Sequence, residues 1–350
     1  MDNSYFIYSS IDKITIERFH NCTWEFDNNS SFVEFGFEIR KDTIQADCKL
    51  LEIFLYIPWL TERCELKDLY GKLKEIENAK FIFNDSVVNH SPINSDLRFG
   101  VVHEFSTRSL SFLPIELEPS EKIVSIKIDL TTYNESLNQH DIYNRFSIRP
   151  DFPNISTRKN GISKSTVIYD IKINEKRNIP DDLFTILKGK QLCEIKQCFN
   201  LNILPNSYDF VFSDSSLKSV RTLEYDSFKK YIGDRRIKKD ELVVIFNKKD
   251  SKESYSFFSI YSKERIGVAQ FSLAIFLNVF CSFLFFVGAY RTKPIPDKTF
   301  LEAIYKLPNE IIFAITIFFF SLVFLIWPRI KIFITRLYNC FISLFNKSIK

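Results

Sequence analysis

At 350 residues the chain has room for one large domain or two ordinary ones, and its 26% charged residues exclude a disordered polypeptide. Seven Cys at irregular spacing exclude a disulfide scaffold, while 37 Phe against one Met and eight Gly suggest an AT-biased coding sequence, so the Phe excess alone carries no functional message. The formal net charge of +4 hides a partition: −7 over residues 1–228, +5 over 229–265 and +6 over 266–350.

The first two-thirds read mainly as strands. Ile14 and Ile16 alternate with Lys13, Thr15 and Glu17. Val33, Phe35, Phe37 and Ile39 alternate with Glu34, Gly36 and Glu38. Period-two alternation of this kind marks a strand with one buried and one polar face, and the polar face is read here as solvated. Lys49 to Ile57 is apolar on both sides and predicts a strand in mid-sheet, ended by Pro58. Glu65 to Glu77 places Leu66, Leu69, Tyr70, Leu73 and Ile76 at helical spacing and predicts a helix. Two further alternating runs follow, at Val124–Leu130 and Val167–Ile173. Between them, Ile142 to Ser165 is rich in Asn, Ser and Pro and reads as a long loop. Asn/Ser/Pro/Asp-rich turns between short strands predict antiparallel sheets packed as a sandwich.

A boundary is placed near residue 178, dividing a β-rich domain (1–178) from a smaller α+β juxtamembrane subdomain (179–262). In the latter, a short turn over Asp181–Leu187, a helix over Ser215–Ile232 stopped by Gly233, and a hairpin formed by LVVIFNKK and SYSFFSIYSK are predicted.

The C-terminal quarter changes character. Residues 266–290 hold no charge over 25 positions, and 311–327 none over 17, closed by Pro328. A helix rises ~1.5 Å per residue and a bilayer core is ~30 Å thick, so about 20 apolar residues span it. The expectation is a transmembrane hairpin: helix 266–290, a short external linker over 291–310 containing three prolines, and helix 311–328. Residues 329–350 carry apolar side chains at i, i+3, i+4, i+7 spacing and predict a basic amphipathic interfacial helix. Lys331, Arg336 and Lys347 on that tail, with Lys263 and Arg265 before the first span, are expected at the membrane surface, facing anionic headgroups. The N-terminal sequence lacks the basic and apolar regions of a signal peptide. Both termini are therefore expected in the cytoplasm, in a bacterial inner membrane. Within the first span, Asn278, with Ser272 and Ser282 near it, is the candidate for helix association, because a mid-bilayer amide must find a partner.

Motifs of chemistry are missing. No glycine-rich phosphate loop, GxSxG elbow or HExxH occurs. Cys193 and Cys198 lack a second ligand pair and are read as small buried residues, and His20-Asn-Cys22 is a similarly weak signal. No catalytic residue, cofactor or metal is predicted, and nucleic acid is disfavoured by the acidic body beside the basic collar. The expected partners are the lipid bilayer, further copies of the chain, and a cytosolic ligand or protein. The expected role is a membrane-anchored sensor-effector whose β domain binds that ligand and whose hairpin oligomerises to perturb the membrane. By analogy of architecture alone, bacterial antiviral defence effectors are built this way. The alternative is a passive interaction scaffold on a two-helix anchor.

Overall fold

In a computed structural model of the chain, the described residues are 3–26, 31–136, 138–151, 155–161, 163–186, 188–233, 237, 242–250, 254–265 and 268–291, with isolated positions between 309 and 323. They are mainly β, in two mixed sheets. The first runs β16 (Asp209–Ser213), β19 (Tyr255–Glu264), β13 (Lys164–Ile173), β1 (Asn3–Ser9), β4 (Leu50–Tyr56), β10 (Ile123–Asp129), β9 (Glu116–Ser120), with β12 (Thr157–Asn160) on β13 and β14 (Gln191–Leu192) on β1. The second runs β17 (Leu217–Thr222), β18 (Leu242–Asp250), β15 (Glu194–Pro205), β2 (Thr15–Glu25), β3 (Ser31–Ile39), β11 (Asp141–Arg149), β8 (Ser109–Phe112), β7 (Val101–Phe105), β6 (Val87–Pro92), with β5 (Glu65–Asp68) also on β11. The helices are short: α1 (Tyr70–Leu73), α2 (Ile76–Phe83), α3 (Thr131–Asn134), α4 (Asp181–Ile186) and α5 (Tyr225–Ile232), followed by the 24-residue α6 (Val268–Arg291).

The sheets are sandwich-like. Phe19, Phe35 and Phe146 of the second sheet share one apolar core with Tyr5, Ile53, Val124 and Tyr169 of the first. Tyr5 meets Phe35 edge to face, with centroids 5.2 Å apart, a geometry that adds ~0.5–1.5 kcal/mol to the burial of the rings. The central apolar strand lies where it was expected: β4 sits between β1 and β10.

Several expectations change. The sheets are not purely antiparallel, because β1 pairs β13, β2 pairs β15 and β11 pairs β8 in parallel. Side-chain alternation is the same in either orientation, so the pattern in the sequence could not separate them. The helix predicted over Glu65–Glu77 is replaced by β5, which pairs β11, then α1 and α2. Leu69 (φ −100°, ψ 9°) leaves helical geometry, and Asp68 Oδ1 accepts the Tyr70 amide at 2.9 Å, starting the chain afresh after the strand. The stretch 142–149, read as loop, belongs to β11. Finally, β18 and β19 are consecutive but lie in different sheets, so they do not form a hairpin. The Ser215–Ile232 helix shortens to α5, preceded by β17, and its end at Gly233 in left-handed geometry (φ 70°) is as expected.

The chain divides into two compact units. One comprises residues 1–159 with 166–263, and strands from before and after residue 178 share both of its sheets. The other comprises 160–165 with 264–350. Within the second unit, α6 is about 36 Å long at ~1.5 Å per residue. Its side chains at 268, 269, 272 and 290 lie outside the description, and among the described residues no helix is long and apolar enough to cross a membrane. No second helix is delimited over 311–328 among the described residues; the linker 292–308 and the tail 329–350, with Lys331, Arg336 and Lys347, lie outside them.

Candidate functional site: an arginine-lined cavity

The polar face of β3 is not solvated. Glu34 and Glu38 are each 2% exposed. Strand alternation turns Arg18, His20, Cys22 and Trp24 of β2, Glu34, Gly36 and Glu38 of β3, and Tyr143 and Arg145 of β11 away from the sandwich core. This face is covered by α2 and α5: Phe228 packs on Trp24 (5.3 Å between centroids) and on Phe81 (4.1 Å).

A carboxylate held this deep needs a partner, and each has one. Arg145 donates to Glu34 Oε2 through Nε at 2.8 Å and through Nη2. Arg108 donates from Nη1 to both Glu38 oxygens at 2.7 and 2.6 Å. Burial pushes the Glu38 carboxyl up, while Arg108 and Arg18 pull it back down. The Tyr231 hydroxyl reaches Glu34 Oε2 at 3.4 Å, and its ring lies 5.9 Å from the Arg145 guanidinium carbon.

Gly36 makes the centre of the network possible. A Cβ there would stand 2.3 Å from the Tyr143 hydroxyl oxygen. Without it, Tyr143 reaches across β3 to His20 Nδ1 at 2.8 Å. Arg145 Nη1 donates to the same hydroxyl at 3.4 Å. Burial keeps the Tyr143 phenol protonated and, aided by Arg145, Arg18 and Arg108, holds His20 well below the usual histidine range. His20 is therefore neutral and shares one hydrogen bond with the Tyr143 hydroxyl through Nδ1.

Beside this network opens a cavity of about 370 Å³. Arg18, His20 and Arg145 line its floor; Phe199 of β15 and Phe246 of β18 line one wall; Phe81 and Phe83 of α2 and Arg221 of β17 complete it. The Phe199 and Phe246 rings are nearly parallel (17°, 5.8 Å), and His20 meets Phe199 edge-on at 4.9 Å. A smaller hollow of about 90 Å³ beside Glu34 and Tyr231 is below the range that takes organic ligands. Cys22, on the same sheet face, is pushed up by burial and by Glu34, which keeps the thiol protonated.

The residues singled out in the sequence fall elsewhere. Asn278 is exposed on α6; its amide has no hydrogen-bond partner among the described residues, while its carbonyl accepts the Ser282 hydroxyl at 2.9 Å. Ser272 is on the same helix, its side chain outside the description. Arg265 donates to the Ser163 and Gly161 carbonyls at 2.7 and 2.9 Å, and Lys263 lies 5.4 Å from the Tyr208 ring. Cys193 and Cys198 are buried free thiols, Cys193 pushed up to about 12 by burial. Among the described residues no group of three His, Cys, Asp or Glu could hold a metal ion. The cavity residues come from five separate strands and α2. The one signal within reach was the unexplained His20 beside a strand whose polar face carries two glutamates and a glycine. Neither a protein-family model nor a curated protein sequence matches the chain.

Proposed function

We propose that the chain is a membrane-anchored sensor-effector: the β body takes a ligand in the arginine-lined cavity, and the apolar C-terminal helices anchor it, associate between copies and perturb the bilayer. The observation that carries the membrane half is α6. It is 24 residues long and uncharged until Arg291, and it exposes Phe271 (63%), Phe283 (60%) and Phe286 (67%). Exposed apolar surface of that extent calls for a nonpolar environment. The uncharged second stretch at 311–327 supports a hairpin, with both chain ends on the cytoplasmic side of a bacterial inner membrane. Asn278, exposed and unpaired among the described residues, is the group that would join helices, contributing ~0.6–2 kcal/mol. Lys263, Arg265, Lys331, Arg336 and Lys347 would face anionic headgroups.

Induced expression of the full chain in bacteria, beside a chain ending at residue 262, tests the effector. Loss of membrane potential and entry of an impermeant dye with the full chain alone is expected, weakened by Asn278→Leu. Potential unchanged with ligand-competent full chain at high expression would count against it. The competing reading, a passive scaffold, is favoured by the body being a compact unit up to Lys263. Exchange of the hairpin for an unrelated two-span anchor separates the two: retained function supports the scaffold.

A further inference from the structure

We propose that the ligand of the cavity is a small planar aromatic anion, a single ring system bearing one phosphate or carboxylate. This deepens the ligand-sensing reading above and rests on it.

The anion follows from charge. Three guanidiniums, Arg18, Arg108 and Arg145, stand around two carboxylates, Glu34 and Glu38; Arg221, which also lines the cavity, is balanced by Glu224 at 3.2 Å, and His20 is neutral. One positive charge is left over. It belongs to Arg18. Arg108 takes both Glu38 oxygens, leaving Arg18 Nε 3.8 Å from Glu38, beyond hydrogen-bond reach, and Nε has no acceptor among the described residues. Burial, then Arg108, lower its affinity for its proton, yet a guanidinium stays charged, and with its side chain 34% exposed it can meet a negative group entering the cavity. Arg18 lines the cavity, and a planar guanidinium fork matches carboxylate or phosphate oxygens.

The aromatic part follows from the walls. The nearly parallel Phe199 and Phe246 rings present aromatic surface to the cavity, with the Lys248 ammonium 5.5 Å from the Phe199 ring centre, and Phe81 and Phe83 line it too. Flat rings prefer offset-stacked or edge-on partners, which selects a planar ligand over a branched one. A chamber of about 370 Å³ lies near the small end of organic-ligand pockets, so one ring system with its anionic group fits and a dinucleotide does not.

The test titrates purified full-length protein in detergent with 4-nitrophenyl phosphate and 4-nitrobenzoate, beside 4-nitrophenol and inorganic phosphate, by calorimetry. The two anions distinguish phosphate from carboxylate as the charged group. At least one aryl anion is expected to bind ten-fold or more tightly than either half-ligand. Arg18→Gln should weaken it at least ten-fold, and Phe246→Ala several-fold. Binding of neither anion below about 1 mM would overturn the proposal, as would 4-nitrophenol binding equally well or Arg18→Gln leaving the affinity unchanged. Should Arg18→Gln fail to fold, judged by thermal unfolding, Phe246→Ala at the wall decides alone: unchanged affinity for the aryl anion overturns the proposal. The titration needs no membrane readout, so its failure leaves the anchor reading untouched, and loss of the anchor reading leaves it untouched in turn.

Discussion

Glu34 and Arg145 are both buried and rely on each other. Removing one member of such a pair strands a charge, at a cost of ~3–5 kcal/mol. Arg145→Met should therefore lower the unfolding free energy by about that much, while the double change with Glu34→Leu should recover most of it; denaturant titration of the four proteins measures the coupling. Gly36 gives a second residue-level test. Gly36→Ala sets a methyl group against the Tyr143 hydroxyl and should cost ~1–3 kcal/mol. Tyr143→Phe, which removes the clashing oxygen, should be destabilising by itself and restorative beside Gly36→Ala. A third concerns acid. His103 Nε2 donates to the Leu73 carbonyl at 3.0 Å, so its Nδ1 accepts from His90 Nδ1 at 3.2 Å. Burial pushes His103 down to about 4. Between that value and about 6.5 the unfolded chain binds the proton that the folded one refuses, so stability falls as pH falls through this window. Other buried groups move as well: Asp68, pushed up to about 6 by burial, acts in the opposite sense. The difference between the wild type and His103→Gln isolates the histidine. The wild type should lose up to about 3 kcal/mol more than the variant between pH 6.5 and 4, and parallel curves would refute the assignment.

At the scale of elements, the strands that repeat their apolar residues at period two were legible: β3, β10 and β13 lie where the alternation put them, and so does the doubly apolar β4. Their partners were not. A parallel ladder such as β2 with β15 joins residues about 180 positions apart, and local pattern carries no information about that pairing. The same blindness hid the cavity. The glutamates of β3 resemble a wetted face until α2 and α5 are folded over them, and β11, which brings Tyr143 and Arg145, sits in a run whose Asn, Ser and Pro content suggests a loop. Pro150 and Pro153 follow the strand and do not interrupt it. The Glu65–Glu77 segment failed differently. Its helical spacing is real, but pairing of β5 with β11 outweighs a propensity worth only tenths of a kcal/mol per residue. For α6 the prediction belongs to Asn278: with Leu there, cross-linking in membranes should recover fewer oligomers, because the substitution removes the amide and leaves the helix as apolar as before.

Over the whole molecule two features meet in one chain: a β body with arginines and phenylalanines lining a small cavity, and a C-terminal region with two long uncharged runs. The proposed sensor-effector requires above all that the C-terminal region reside in the bilayer. Alkaline carbonate extraction of membranes from bacteria expressing the full chain, beside the chain ending at residue 262, tests this most directly. The full chain should stay in the pellet and the shorter chain enter the supernatant; release of the full chain into the supernatant would overturn the membrane anchor.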